Sequence, residues 1–297
     1  MINDKNIADY ANIDPAKIRG GLGTILRHDS NQYFVDGRYG NDNNSGKSVG
    51  QPYKTIAKAI TVANARINWS ASPWANSDKI TVFQGSYAEN LTSLPYGCEI
   101  EGMGDAWDAD GENGVRIKPA SGSPVDVNAC INCKISNIGF ESADASKVFD
   151  AAIMNNVQML HCRIAGAPEA TTSVAGIYVN DSVQLTVRDT QFNYLDCGID
   201  AVYADGGDSF TRALIEKNYM SYISEAGIRV SASLVAPASK IIGNYIGQGG
   251  QTLAIGIDIN ITNTIEIFGN YISATDGIEG DTTGVYVGGN YCNGVLE

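Results

Sequence analysis

Ile241-Ile242-Gly243-Asn244-Tyr245-Ile246 returns 26 positions later as Ile267-Phe268-Gly269-Asn270-Tyr271-Ile272. Looser copies lie upstream at residues 215–220 and 187–192. Fainter ones occupy 159–164, with Cys162 at the asparagine place, and 135–140, with Ile138 there. A last copy carries Val287, Asn290 and Cys292. The asparagine places are therefore 138, 162, 190, 218, 244, 270 and 290, spaced by 24, 28, 28, 26, 26 and 20 residues. A second phrase interleaves with the first: Gly176-Ile177-Tyr178-Val179, Gly198-Ile199-Asp200-Ala201, Gly227-Ile228-Arg229-Val230, Gly256-Ile257-Asp258-Ile259 and Gly284-Val285-Tyr286-Val287.

A period in the twenties with variable insertions marks a solenoid. Each copy holds two or three short alternating runs rich in Ile, Val and Tyr, broken by Gly, Asn and Asp, as strands and tight turns are. No copy has room for a helix of about ten residues, which argues against helical and leucine-rich repeats. One copy fits one coil of an all-β, parallel β-helix. Inward Ile, Val, Phe and Met stack along the axis, and Asn or Gly takes the bends that need a left-handed backbone. A coil cannot bury its apolar face alone, so the stack is the fold.

The 297 residues divide into a non-repeating arm, 1–30, and one elongated domain, 31–297. No apolar run approaches the roughly 18–20 residues of a membrane span, and the first residues lack the pattern of a secretory signal. A net charge of −13 disfavours nucleic acid and anionic membranes as partners, and without a spanning segment no membrane insertion is expected. With only two histidines, a histidine-rich metal site or a histidine-based triad is not expected, and no cofactor is implied. Of the six cysteines, only Cys130 and Cys133 are close in sequence. A lone C-x-x-C in an alternating tract reads as buried thiols rather than zinc ligands.

Two stretches resemble known families. Gln32-Tyr33-Phe34-Val35-Asp36-Gly37 reads as a strand entering a turn, and residues 38–46 as a loop. Gln51-Pro52-Tyr53-Lys54-Thr55-Ile56 leads into a helix over about 54–67, with Ile56, Ala59, Ile60 and Ala63 at i, i+3, i+4, i+7 spacing. With the tract Ile80, Val82, Gly85, Tyr87, Glu89 and Leu91 that follows, this resembles the start of the pectin-lyase-like parallel β-helix superfamily. The resemblance implies a right-handed solenoid, the hand that parallel crossovers favour, whose N-terminal end the helix caps. In the arm, Ile7, Ile13, Ala16, Lys17 and Ile18 resemble a segment common near the start of bacteriophage fibre and spike proteins, with Ala16 where that pattern has serine. That implies docking of Ile7, Ile13, Lys17 and Ile18 on a particle. The superfamily hosts lyases, hydrolases, epimerases and non-catalytic spikes, so fold alone does not fix activity.

Candidate sites follow from the stacking of coils. The residue after each Gly-Ile/Val pair should form an outward column of Tyr178, Asp200, Arg229, Asp258 and Tyr286. Coils stack at roughly 4.8 Å, placing Asp200 and Asp258 about 9.5 Å apart. An inverting glycosidase uses two carboxyls about 6.5–9.5 Å apart, so this pair is the catalytic candidate, with Tyr178, Arg229 and Tyr286 as glycan contacts. The competing reading is a ladder of alternating charge, in which Arg229 holds both carboxylates ionised. Asp36, Asn41, Asp42 and Asn44 lack the spacing of a calcium loop and read as a hydrogen-bonded turn. Asp205 and Asp208 form a loop that could take a cation but no catalytic site. Trp69, Trp74 and Trp107 sit in loops, either to pack or to stack on sugars.

These features together lead us to expect a bacteriophage virion spike, tailspike-like, on a tail or decorating a capsid. It would be a homotrimer made in the host cytoplasm, anchored to other virion proteins by its arm and touching cell-surface polysaccharide. A polysaccharide-degrading hydrolase or lyase of the same fold is the alternative, and a bacterial surface adhesin a second one.

Overall fold

The structure is a computed structural model that describes residues 31–67, 78–106, 113–144, 146–167, 175–202, 209–231, 236–247, 252–260, 264–281, 283–293 and 295–296. It is an all-β parallel solenoid. Ten parallel strands form the first face, from Gln32–Val35 and Lys79–Val82 at one end to Ile265–Phe268 and Tyr286–Gly288 at the other. A sixteen-stranded sheet supplies a second and a third face. These two faces are joined because Gln191–Ala201 and Tyr219–Val230 run through the corner between them without a break. Their register shifts at that corner, between Leu195 and Cys197.

Alternation decides which side chains point inward. On the first face Tyr33, Ile80, Ile100, Ile135, Met159, Val187, Ile215, Ile241 and Ile267 pair in register and are buried. The second face adds Ile117, Phe140, Ile164, Phe192, Met220, Ile246 and Ile272 to the same core. Near the start, the helix Ile56–Asn64 buries Ile56, Ala59, Ile60 and Ala63, the face expected from their spacing, and lies against the first two strands of the first face. Thr55 Oγ1 accepts from Lys58 N at its N-terminus, and the Glu89 carboxylate accepts from Ile56 N and Ala57 N, both at 2.9 Å. The expected bounds of 54–67 were too wide by a few residues at each end. The loop before the helix is the hydrogen-bonded turn anticipated. Asp36 Oδ1 accepts from Arg38 N and Tyr39 N, and the Asp42 carboxylate accepts from Lys54 N, Thr55 N and Thr55 Oγ1.

Three corners recur. Between the first and second faces, Asn137, His161, Asp189, Lys217, Gly243, Gly269 and Gly289 all have φ between 50° and 68°. The corner before the first face uses Asn132, Asn156, Gln184, Arg212 and Ala238, and the corner between the second and third uses Tyr194 and Tyr222. Asn and Gly take many of these bends, as expected, but His, Asp, Lys, Gln, Arg, Ala and Tyr take others, and the asparagines of the repeat are not themselves among the bending residues. The residue before each bends, and the asparagine turns inward as a ladder. Asn218, Asn244, Asn270 and Asn290 are at most 1% exposed. Each of the first three donates Nδ2 to the next Oδ1 at 2.9 Å and to a carbonyl of the preceding coil at 2.9–3.0 Å. The backbone N–H of Thr190, Asn218, Asn244 and Asn270 also donates to the next asparagine's Oδ1. The side-chain amides of Asn218, Asn244 and Asn270 thus have Oδ1 and both Nδ2 protons paired, as burial demands.

The glycine of the second phrase also has a physical reason. A Cβ on Gly176, Gly198, Gly227 or Gly256 would lie 2.5–2.6 Å from the carbonyl oxygen of Gly198, Gly227, Gly256 or Gly277 respectively. The next coil comes too close for any side chain. That column ends at Gly277, not Gly284.

Candidate functional site

On the third face the outward column is Asp126, Asp150, Tyr178, Asp200, Arg229, Asp258 and Glu279. Tyr178, Asp200, Arg229 and Asp258 thus stand on successive coils, as their spacing implied. Tyr286 does not join them. It pairs with Glu266 on the first face, and Glu279 takes the place expected of it. The cause is that 277–280 and 284–287 both offer a glycine followed by alternating residues, and only the close approach at Gly277 separates them.

Arg229 sits between the carboxylates. Nη1 is 3.6 Å from Asp200 Oδ2 and Nε is 3.6 Å from Asp258 Oδ2, while Nη2 makes its shortest contact, 3.1 Å, with Glu225. The two aspartates differ in surroundings. Asp258 Oδ1 accepts from Asn260 Nδ2 at 2.6 Å. Asp200 Oδ1 has no hydrogen-bond partner among the described residues. Burial pushes the Asp200 carboxyl above its ordinary value, with Arg229 and Lys147 pulling the other way. Burial therefore outweighs Arg229 in setting the direction of the Asp200 shift, which is the direction a general acid needs. The charge-ladder reading weakens as well, because Asp126 faces Asp150 and Asp258 faces Glu279 across adjacent coils. Tyr178 lies under Lys147, whose Nζ is 3.1 Å from the ring centroid and 3.1 Å from Asp150 Oδ2. That face of the ring is occupied by a cation rather than open to a sugar.

A second feature of the surface was not foreseen. The tyrosine after each ladder asparagine points outward on the second face, so Tyr219, Tyr245, Tyr271 and Tyr291 form a column with ring centroids 4.9, 4.9 and 5.4 Å apart. Tyr194 and Tyr222 stack at 4.8 Å at the adjoining corner. The signal was in the sequence as the recurring Asn-Tyr pair, but the repeat marks fold and function alike. Offset aromatic pairs of this kind stabilise by about 0.5–1.5 kcal/mol each beyond the area they bury.

All six cysteines are buried, Cys130 and Cys133 included. Burial pushes the Cys98 and Cys162 thiols to about 12. Among the described residues no cluster of three or more His, Cys, Asp or Glu is placed to hold a metal ion. Ile7, Ile13, Lys17, Ile18, Trp69, Trp74, Trp107, Asp205 and Asp208 lie outside the described residues. Compared with known proteins, the chain matches no family model, no curated protein and no solved structure.

Proposed function

We propose that this chain is a structural spike of a bacteriophage particle, anchored by residues 1–30 and presenting its solenoid to surface glycans. The observation that carries the reading is the solenoid itself, a stack of parallel coils braced from Asn218 to Asn290 by an internal asparagine ladder and exposing long outer faces. Such a stack suits projection and repetitive contact. The pattern of Ile7, Ile13, Lys17 and Ile18 supports anchoring at the N-terminus, and a right-handed solenoid of the pectin-lyase-like kind, capped by Ile56–Asn64, fits the residues at 32–91. The test has two parts. Light scattering should give about three times 31.5 kDa, and deletion of residues 1–30 should leave the β-sheet spectrum intact while abolishing incorporation into particles. Truncated protein that still assembles onto particles would refute the anchor.

A second reading, a polysaccharide depolymerase, draws on one observation: Asp200 with a raised carboxyl pKa, two coils from Asp258. There Asp200 would act as general acid and Asp258 as base. Asp200→Asn and Asp258→Asn would each abolish release of oligosaccharides without unfolding the chain.

A further inference from the structure

Within the tyrosine column, adjacent ring planes lie within 9°, 4° and 17° of each other from Tyr219 to Tyr291. Aromatic carbons in contact lie about 3.5–4.0 Å apart, so nearly parallel rings with centres 4.9 Å apart are slipped by roughly 3 Å. They overlap as shingles do, and each leaves part of its face uncovered. Exposure agrees. The inner rings, Tyr245 at 39% and Tyr271 at 42%, are as open as the outer ones, Tyr219 at 42% and Tyr291 at 41%. A column that served only to bury aromatic area would hide its inner members.

The backbone makes room for this arrangement. Two positions after the four tyrosines stand the small residues Ser221, Gly247, Ser273 and Asn293. A Cβ on Gly247 would lie 2.6 Å from Tyr245 Cε1, so that ring lies down over the sheet. Beside it, Ser221 Oγ donates to Asn193 Oδ1 at 2.6 Å. The charged side chains along the neighbouring first face compensate one another, Arg188 with Glu216 and Lys240 with Glu266. The strip is therefore apolar, hydroxyl-bearing and close to neutral.

The geometry points to this column as a binding track for a neutral, unbranched polysaccharide in extended form, running parallel to the solenoid axis with one pyranose unit per ring. The inference rests on the glycan-contact reading above and names its site and ligand class. Repeat length selects the ligand. The column offers an aromatic surface bearing a phenol hydroxyl on each coil, with ring centroids 4.9–5.4 Å apart, close to the advance of one pyranose in an extended chain. A peptide strand advances about 3.3–3.4 Å per residue, with side chains on one side every second residue, and falls out of step within a few coils. A pyranose presents C–H groups and hydroxyls together, and tyrosine offers an apolar ring and a group that both donates and accepts.

The experiment titrates the full chain with hexasaccharides of β-1,4-linked glucose and of β-1,4-linked N-acetylglucosamine, using calorimetry and tyrosine fluorescence, with the matching disaccharides and coiled maltohexaose as comparisons. At least one extended hexamer should bind ten or more times tighter than its disaccharide and than maltohexaose. The double variant Tyr245→Ser/Tyr271→Ser should lose at least tenfold in affinity. Tyr245→Phe/Tyr271→Phe, which keeps the rings, should retain more than half of the binding free energy, as should Tyr39→Ser, a distant exposed control. Circular dichroism checks that each variant is folded. Failure of both hexamers to bind the wild-type chain would overturn the proposal, as would a folded serine variant that binds normally. So would a serine variant whose mass in solution falls, since the column would then be a contact between copies. Incorporation into particles is read independently, so a spike that binds no hexamer refutes the track and leaves the spike.

Discussion

Replacing Asn244 by alanine tests whether the internal ladder holds the coils together. The side chain accepts from Asn218 N at 3.0 Å and from Asn218 Nδ2 at 2.9 Å, and it donates to Asn270 Oδ1 and Ile215 O, both at 2.9 Å. Alanine leaves the Asn218 backbone N–H and one Asn218 amide proton without their partners, in a column that is at most 1% exposed, and removes the Nδ2 donor to the Ile215 carbonyl. Asn270 Oδ1 keeps the bond from the backbone N–H of residue 244. An orphaned buried polar group costs about 1–3 kcal/mol, so the two orphaned donors should destabilise by about 2–6 kcal/mol. Urea unfolding followed by far-ultraviolet circular dichroism reads the loss as a lower midpoint at unchanged slope. Asn43→Ala, on an exposed loop, should fall within about 0.5 kcal/mol of wild type. Because Asn218 and Asn244 share a bond, a double-mutant cycle should show coupling of at least about 0.5 kcal/mol. A loss below about 1 kcal/mol for Asn244→Ala, or strict additivity in the cycle, would refute the assignment of stability to the ladder.

Two glycines should behave differently. Gly227→Ala drives a methyl to 2.6 Å from Gly256 O and 2.5 Å from Ile246 Cγ2, so it should cost about 3 kcal/mol or more in urea unfolding. At Gly269 a Cβ meets nothing within 4 Å and φ is +68°, so alanine should cost only the left-handed backbone penalty of about 1–2 kcal/mol. Asp200 binds its proton more tightly in the folded state, a contribution present below its ordinary 3.8 and lost as pH rises through the folded value. Asp200→Asn should therefore raise the melting temperature at pH 7 relative to wild type, with the difference vanishing below pH 3.8; lower stability at pH 7 would contradict the burial argument. A thiol reagent should titrate none of the six cysteines in native protein and all six in guanidinium, and a fast native reaction at any one would place that thiol outside the core.

The solenoid was legible because its period is written in residues whose chemistry the stacking of coils constrains. The asparagine places read from the sequence run through the observed column in order, from Cys162 N to Thr190 Oγ1 and on to Asn290. The apolar face of Ile56–Asn64 was legible for the same reason, since helical spacing has one buried solution. Tyr286 was misplaced because alternation with period two fits any strand of any face, and neither hydrophobicity nor glycine content separates residues 277–280 from 284–287. What separates them is a carbonyl 2.5 Å from where a side chain would be, a distance between coils that no single coil encodes. The electrostatics of Asp200 were illegible likewise: the sequence placed Arg229 beside it but not the burial that outweighs the arginine.

The asparagine ladder also has a direction. The backbone N–H and one Nδ2 proton of Asn218, Asn244 and Asn270 reach toward the C-terminal neighbour while the other Nδ2 proton bonds the preceding coil, so the chain of side-chain amides is polar along the axis and its two ends are unlike. A coil emerging during synthesis carries an open donor that only the following coil can engage. Growth from the N-terminus therefore always presents a template facing the residues still to come. Wherever such a chain stops within the ladder, the defect it leaves is the same one, and shortening it coil by coil should remove stability in near-equal steps.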